Sequence, residues 1–230
     1  MNEPVEDRDQ TALLIAEIAE AIRFHAAGSI VRVGVDGVDG VGKTVFADML
    51  ARAIASRGRP VIRASVDSFH NTRETRYRLG KTSPAGFYLE SYNYPELRKV
   101  LLDPLGPGGS CVYCPASFDH AANTPVPERW SVADPDAVLV FDGIFLHRPE
   151  LRDVWDLSIF LDAPFAITIP RGAGRGAAWG SADVDAVSNR RYIEGQRLYL
   201  REDEPQSRAN IVIDYSDLTH PVITARRWPA

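Results

Sequence analysis

The run "GVDGVGKT", Gly37 to Thr44, constrains this chain more than any other stretch of its length. It fits the pattern G-x-x-x-x-G-K-[ST], and both flanks fit as well. "IVRVGVD" before it reads as a buried strand. "TVFADMLARAIASRG" after it sets Phe46, Met49, Leu50, Ala53 and Ile54 at helical spacing and stops at Gly58. Gly37, Gly40 and Gly42 let the backbone turn tightly enough for its N–H groups to converge, and the next helix adds the partial positive charge of its N-terminus. Such a loop cradles a phosphate chain. The contacts to that chain are therefore assigned to Gly37, Val38, Asp39, Gly40, Val41, Gly42, Lys43, Thr44 and Val45. Lys43 reaches the outer phosphates and the Thr44 hydroxyl is offered to Mg²⁺.

Charge makes that local device necessary. The chain carries a net charge of −5, which argues against nucleic acid or an anionic membrane surface as its main partner. Its 230 residues, 45% of them apolar, suit one compact domain spanning 1–230 that needs no metal or disulfide staple. No apolar run approaches the ~20 residues of a spanning helix. The N-terminal "MNEPVEDRDQ" is acidic, the reverse of a secretory leader, so a cytoplasmic protein is expected. The two cysteines of "CVYC", Cys111 and Cys114, have no second pair. They read as strand residues on opposite faces rather than a redox or zinc motif.

Along the chain, strands alternate with helices. A helix is expected over 11–24, within an N-terminal segment 1–28, and the strand, loop and helix occupy 30–58. "RPVIRASVD" (59–67) reads as the second strand, "PELRKVLLDPL" as a helix opened by Pro95, and "CVYCPASF" as a strand. "DAVLVFDG" and "DLSIFLD" are continuous apolar runs typical of strands covered on both faces. "GAGRGAAWGS" is glycine-rich, "DVDAVSNRRYIEGQRLYLRE" reads as a helix interrupted near Gly195, and "ANIVIDY" as a last strand. The pattern predicts a three-layer α/β fold with a central parallel sheet, helices on both faces and a mobile lid over about 168–195.

Two acids stand at strand ends: Asp67 in "ASVDSFHN" and Asp142 in "AVLVFDG". In phosphate-binding loop proteins the second of these helps hold magnesium. The Asn-Lys-x-Asp element that reads guanine is missing from the sequence. Phosphoryl transfer to an alcohol further needs a base for the hydroxyl and cations over the moving phosphoryl group.

Taken together, the loop, "VDSFH", "VFDG" and "RRYIEGQRLYL…ANIVID" resemble the uridine kinase-like P-loop kinases, grouped with phosphoribulokinase and bacterial pantothenate kinases, over about residues 30 to 215. The resemblance implies ATP as donor with Mg²⁺ held by Thr44 and Asp142, and Asp67 as base toward the acceptor hydroxyl. It implies catalytic help from Lys43 and from lid arginines, with Arg175 central. It implies an acceptor pocket drawing on Asn93, Tyr113, His120, Arg171 and Arg191, with Arg190 nearby. Asn93 in "YNYP" stands where relatives have Asp, and Asp142 stands where they have Glu. The implied acceptor is a pyrimidine nucleoside, uridine or cytidine, phosphorylated on its 5′-hydroxyl. Two alternatives stay open: a kinase for a phosphorylated or carboxylated acceptor, toward which the run Arg73, Arg76, Arg78 and Lys81 points, and a non-catalytic nucleotide sensor. Homo-oligomerisation is left open as well.

Overall fold

In the computed structural model, residues 10–25, 28–176 and 180–227 are described. The acidic residues 1–9 and the lid residues 177–179 lie outside them. The chain begins with α1 (Gln10–Phe24), β1 (Val31–Gly37), α2 (Lys43–Ala55) and β2 (Val61–Ser65). A 3₁₀ turn (Val66–Phe69) leads to α3 (Arg73–Arg76), α4 (Pro84–Glu90) and α5 (Tyr94–Leu97), which runs into a π-helical turn, Arg98–Leu102. Four two-residue strands follow: β3 (Val112–Tyr113), β4 (Phe118–Asp119), β5 (Thr124–Pro125) and β6 (Ser131–Val132). The chain ends with β7 (Val138–Asp142), β8 (Leu157–Asp162), α6 (Phe165–Ala173), α7 (Val187–Glu202), α8 (Pro205–Arg208), β9 (Ile211–Asp214) and β10 (Val222–Arg226).

The main sheet has the order β10-β9-β8-β1-β7-β2. Alternation along its strands explains the three layers. Val31, Val33 and Val35 of β1 pack with Val138 and Val140 of β7 against α1 and α2. Leu139 and Phe141, one residue out of phase, face the other layer with Tyr94, Leu97, Phe145 and Tyr199. A strand buried on both faces has no polar side, which is why these runs read as continuously apolar. Register then sets the site: Asp142 lies opposite Val35 of β1 and Ser65 of β2. The carboxyl ends of three parallel strands are thus level, the usual place for a ligand crevice in such sheets.

Four expectations change. The sheet is not wholly parallel, because β10 pairs antiparallel with β9 and forms an edge past the expected last strand. "CVYCPASF" is not one strand; Cys111 sits at φ 60, and the run splits between β3 and β4, whose partners are β6 and β5. The second strand ends at Ser65, two residues short of the expected 67, and pairs with β7. Finally, α7 is continuous through Gly195. A Cβ there would meet Phe87 Cδ1 at 2.7 Å and Pro84 O at 2.9 Å, so this glycine is the close-approach point between α7 and α4, not a break.

Candidate active site

The phosphate-binding loop bridges β1 and α2. Gly42 caps α2 at φ 113, and Gly40 holds φ 77 with its Cα pressed on the α6 main chain, where a Cβ would lie 2.1 Å from Thr168 O. Two side chains from outside the loop hold its entry. Asp36 Oδ1 accepts from Gly37 N at 2.7 Å, and Gln196 Oε1 of α7 accepts from Asp39 N at 2.7 Å. Asp36 is fully buried; its other oxygen takes His147 Nδ1 at 2.7 Å and the Tyr199 hydroxyl. Lys43 Nζ donates to Val38 O at 2.9 Å and lies 3.9 Å from Asp39 Oδ1.

Asp39, Gly40, Gly42, Lys43 and Thr44 line a cavity of about 50 Å³ together with Ser65, Asp67, Tyr92, Asp142 and Arg175. A phosphate chain drawing on Lys43 there would replace its contact with Val38 O. Of the other assigned loop residues, Val38 and Val41 bury their side chains in the core and Val45 exposes its own. Any phosphate contact they make would be through the main chain.

Local chemistry aims Asp67 into this cavity. Ser65 Oγ accepts from Asp67 N at 3.4 Å and so opens the 3₁₀ turn, which swings Asp67 out of the line of β2. The Tyr92 hydroxyl donates to Asp67 Oδ1 at 3.4 Å. Packing around the carboxyl pushes its pKa up to about 6; Asp39 and then Asp142 push the same way, and Lys43 opposes them. Asp39 is likewise raised by burial, against Lys43 and Arg175. Solvent still reaches Asp67, the route by which an acceptor hydroxyl would arrive.

Asp142 is buried. Its Oδ2 accepts from Thr44 Oγ1 at 2.7 Å, and Arg63 Nη2 lies 2.8 Å from its Oδ1. Arg63 also pairs with Asp48 at 2.9 Å. The hydroxyl and the carboxylate assigned to magnesium are therefore adjacent. That donor set fits Mg²⁺, which takes few protein oxygens and completes its shell with water and phosphate. Among the described residues there is no group of three or more His, Cys, Asp or Glu side chains placed for an all-protein metal cage.

The residues assigned to the acceptor and lid are not brought together. Asn93 turns its Oδ1 onto Glu96 N at 3.2 Å and caps α5. Tyr113 sits half-buried on β3. Arg171 spends its guanidinium on the carbonyls of Val41, Tyr215 and Ser216. Arg191 spends its own on Arg76 O, Gly80 O and Lys81 O, and Arg190 lines a separate groove along α7. His120 Nε2 meets Arg76 Nη1 at 2.5 Å. Arg175 alone of the lid arginines lines the cavity. Tyr92, Arg63 and Gln196 were missed. Only Arg63, a charge inside an apolar strand, carried a signal in the sequence.

No family model matches the chain. Solved structures do. One, described as a possible uridine kinase from Bacillus stearothermophilus, is 23% identical with a TM-score of 0.66, over 86% of this chain and 96% of that one. Phosphoribulokinase from Rhodobacter spheroides is 17% identical, TM-score 0.54, over 82% of this chain and 71% of that one. D-glycerate 3-kinase from Cryptococcus neoformans is 12% identical, TM-score 0.57, over 93% and 98%. The fold is that of the uridine kinase-like P-loop kinases. Within the described residues, no helix is long and apolar enough to cross a membrane.

Proposed function

We propose that this chain is a phosphotransferase moving the γ-phosphoryl group of ATP onto a hydroxyl of a small molecule. The observation that carries the reading is the convergence of Asp67 with Lys43, Thr44, Asp142 and Arg175 on one cavity. Asp67 takes the proton of the acceptor hydroxyl. The acceptor oxygen bonds the γ-phosphorus, the bond to the β,γ-bridging oxygen breaks, and ADP leaves with that electron pair. Lys43 and Arg175 offset charge on the phosphoryl oxygens as it develops. Thr44 and Asp142 would hold Mg²⁺, whose contribution when bound is to neutralise the β- and γ-phosphate oxygens. A carboxylate with pKa about 6 is a stronger base than an ordinary aspartate and is still ionised at neutral pH.

The test is ADP release from ATP and Mg²⁺ with a panel of alcohols that includes uridine and cytidine, the acceptors the sequence resemblance brings. Asp67→Asn is expected to lower acceptor-dependent release by roughly 10²–10⁴-fold while binding of a non-hydrolysable ATP analogue is unchanged. Undiminished turnover in that variant would remove Asp67 from the mechanism. Silence from every acceptor, with nucleotide binding intact, would favour a nucleotide sensor.

A further inference from the structure

Beside the base lies a cationic cluster whose buried member, Arg76, has no carboxylate paired with it, although Glu74 acts on Arg73 and Asp119 on His120. Arg76 of α3 is 8% exposed. Its Nη1 meets His120 Nε2, its Nε has no hydrogen-bond partner, and among the described residues no acidic side chain pairs with it. The remaining compensation is the Tyr77 ring, 5.8 Å from Arg76 Cζ. A guanidinium held out of water with an unused donor is costly, and an oxyanion is the ligand whose geometry completes it.

The cluster is joined to the base through rings in tilted contact. His70 Nδ1 bonds Asp67 O at 2.9 Å, and with a carbonyl as partner that nitrogen carries the hydrogen. The His70 ring lies 4.6 Å from Tyr92 and 4.2 Å from His120. Burial is the first cause, and Arg76 a further one, that keeps both imidazoles in the neutral form: His70 is lowered to about 4, and His120 is also lowered. Neutral histidines leave the guanidinium as the charge an anion would meet.

The segment is also pre-set. Arg191 donates to the carbonyls of Arg76, Gly80 and Lys81, Thr72 caps α3, and Arg73 N donates to Asn123 Oδ1 at 2.7 Å. Of the four cations in this run, Arg78 is taken by Glu90 at 2.5 Å, and Lys81 faces the separate groove along α7. Arg76 remains, with exposed Arg73 flanking His120.

We propose that the acceptor carries an oxyanion, a phosphate or a carboxylate, which Arg76 holds with Arg73 and His120 beside it, while the acceptor hydroxyl meets Asp67 across the His70 and His120 rings. This rests on the phosphotransferase reading above and names the substrate class of that same site.

Binding to the protein saturated with a non-hydrolysable ATP analogue and Mg²⁺ tests it without turnover. The probes are ribose 5-phosphate, D-glycerate, ribose, uridine, inorganic phosphate and acetate. Ribose 5-phosphate, or D-glycerate if the oxyanion is a carboxylate, is expected to bind at least tenfold more tightly than ribose or uridine. Thermal stabilisation by phosphate against acetate identifies which oxyanion it is. Arg76→Leu should weaken the preferred anion at least tenfold and leave affinity for the ATP analogue unchanged. If that variant does not fold, His120→Ala, at an exposed position, should weaken it by a smaller but measurable factor. Neutral acceptors binding as tightly as the anions, no anion binding at all, or anion affinity untouched in the variants would overturn the inference. Anion binding through Arg76 with no phosphoryl transfer would sink the kinase reading alone; efficient phosphorylation of uridine with no advantage to anionic acceptors would sink this inference alone.

Discussion

Two regions on either side of Asp67 and its turn, the cavity at the strand ends and the short helix α3, are charged in opposite ways. On the strand-end side, Asp39, Asp67 and Asp142 face Lys43, and Arg63 closes on Asp142. On the α3 side, Arg76 and Arg73 stand with two neutral histidines, and among the described residues no carboxylate pairs with the buried Arg76. The acidic side sits on the ends of core strands whose register is fixed by burial on both faces. The basic side sits on a four-residue helix held by side-chain bonds to carbonyls and caps. On the proposed reading the contrast is a division of labour: chemistry common to all phosphoryl transfer would rest on the sheet, and recognition of one acceptor on segments that tolerate change.

Lys43→Met would break the acidic side most severely. Turnover is expected to fall by roughly 10²–10³-fold, and because Lys43 lowers the Asp67 pKa, the acid limb of the rate profile should move to higher pH. In the unmodified protein, kcat/KM should rise about tenfold per unit up to about pH 6 and level off above it, since only ionised Asp67 accepts a proton. Asp39→Asn removes a charge that raises Asp67 and should shift the same limb to lower pH. A limb unmoved in either variant would mean that another group titrates.

Stability offers a quieter contrast between the sides. Because the folded pKa of Asp67 is raised from 3.8 to about 6, the native state binds a proton that the unfolded chain has released across that window. Its contribution to stability therefore falls as pH rises from about 4 to 6. Asp67→Asn should then raise Tm at pH 7 while abolishing activity, with the gain shrinking toward pH 4; solvent contact limits its size. Arg63→Met leaves Asp142 buried without its cation and should cost about 1.5–3 kcal/mol, seen as a Tm drop of several degrees. Gly195→Ala forces a methyl against Phe87 and Pro84 O and should cost about 1–3 kcal/mol by overpacking; an unchanged Tm would mean that α7 shifts freely.

Legibility in the sequence follows the same division. Val31–Gly37, Lys43–Ala55 and the runs around Asp142 and Phe160 were readable because burial on both faces leaves continuous apolar runs and the loop needs glycines at fixed spacing. Asp67 was readable as an acid after a strand, yet its aim depends on Ser65 opening a 3₁₀ turn. The acceptor side could not be read from residue type alone. Asn93 is a helix cap, Arg171 and Arg191 are bound to carbonyls, and Gly195 is a packing contact.

By itself, then, the sequence determined the phosphate-binding loop, the alternating α/β architecture and the acids at the strand ends, since periodicity and backbone freedom are local properties. Only the tertiary structure decided which charges meet. Arg63 finds Asp142, Gln196 reaches the loop from α7, and Arg76 meets His120, whose ring lies against His70 beside Asp67. An arginine's role depends on the acceptors around its guanidinium, and those come from residues far away in the chain.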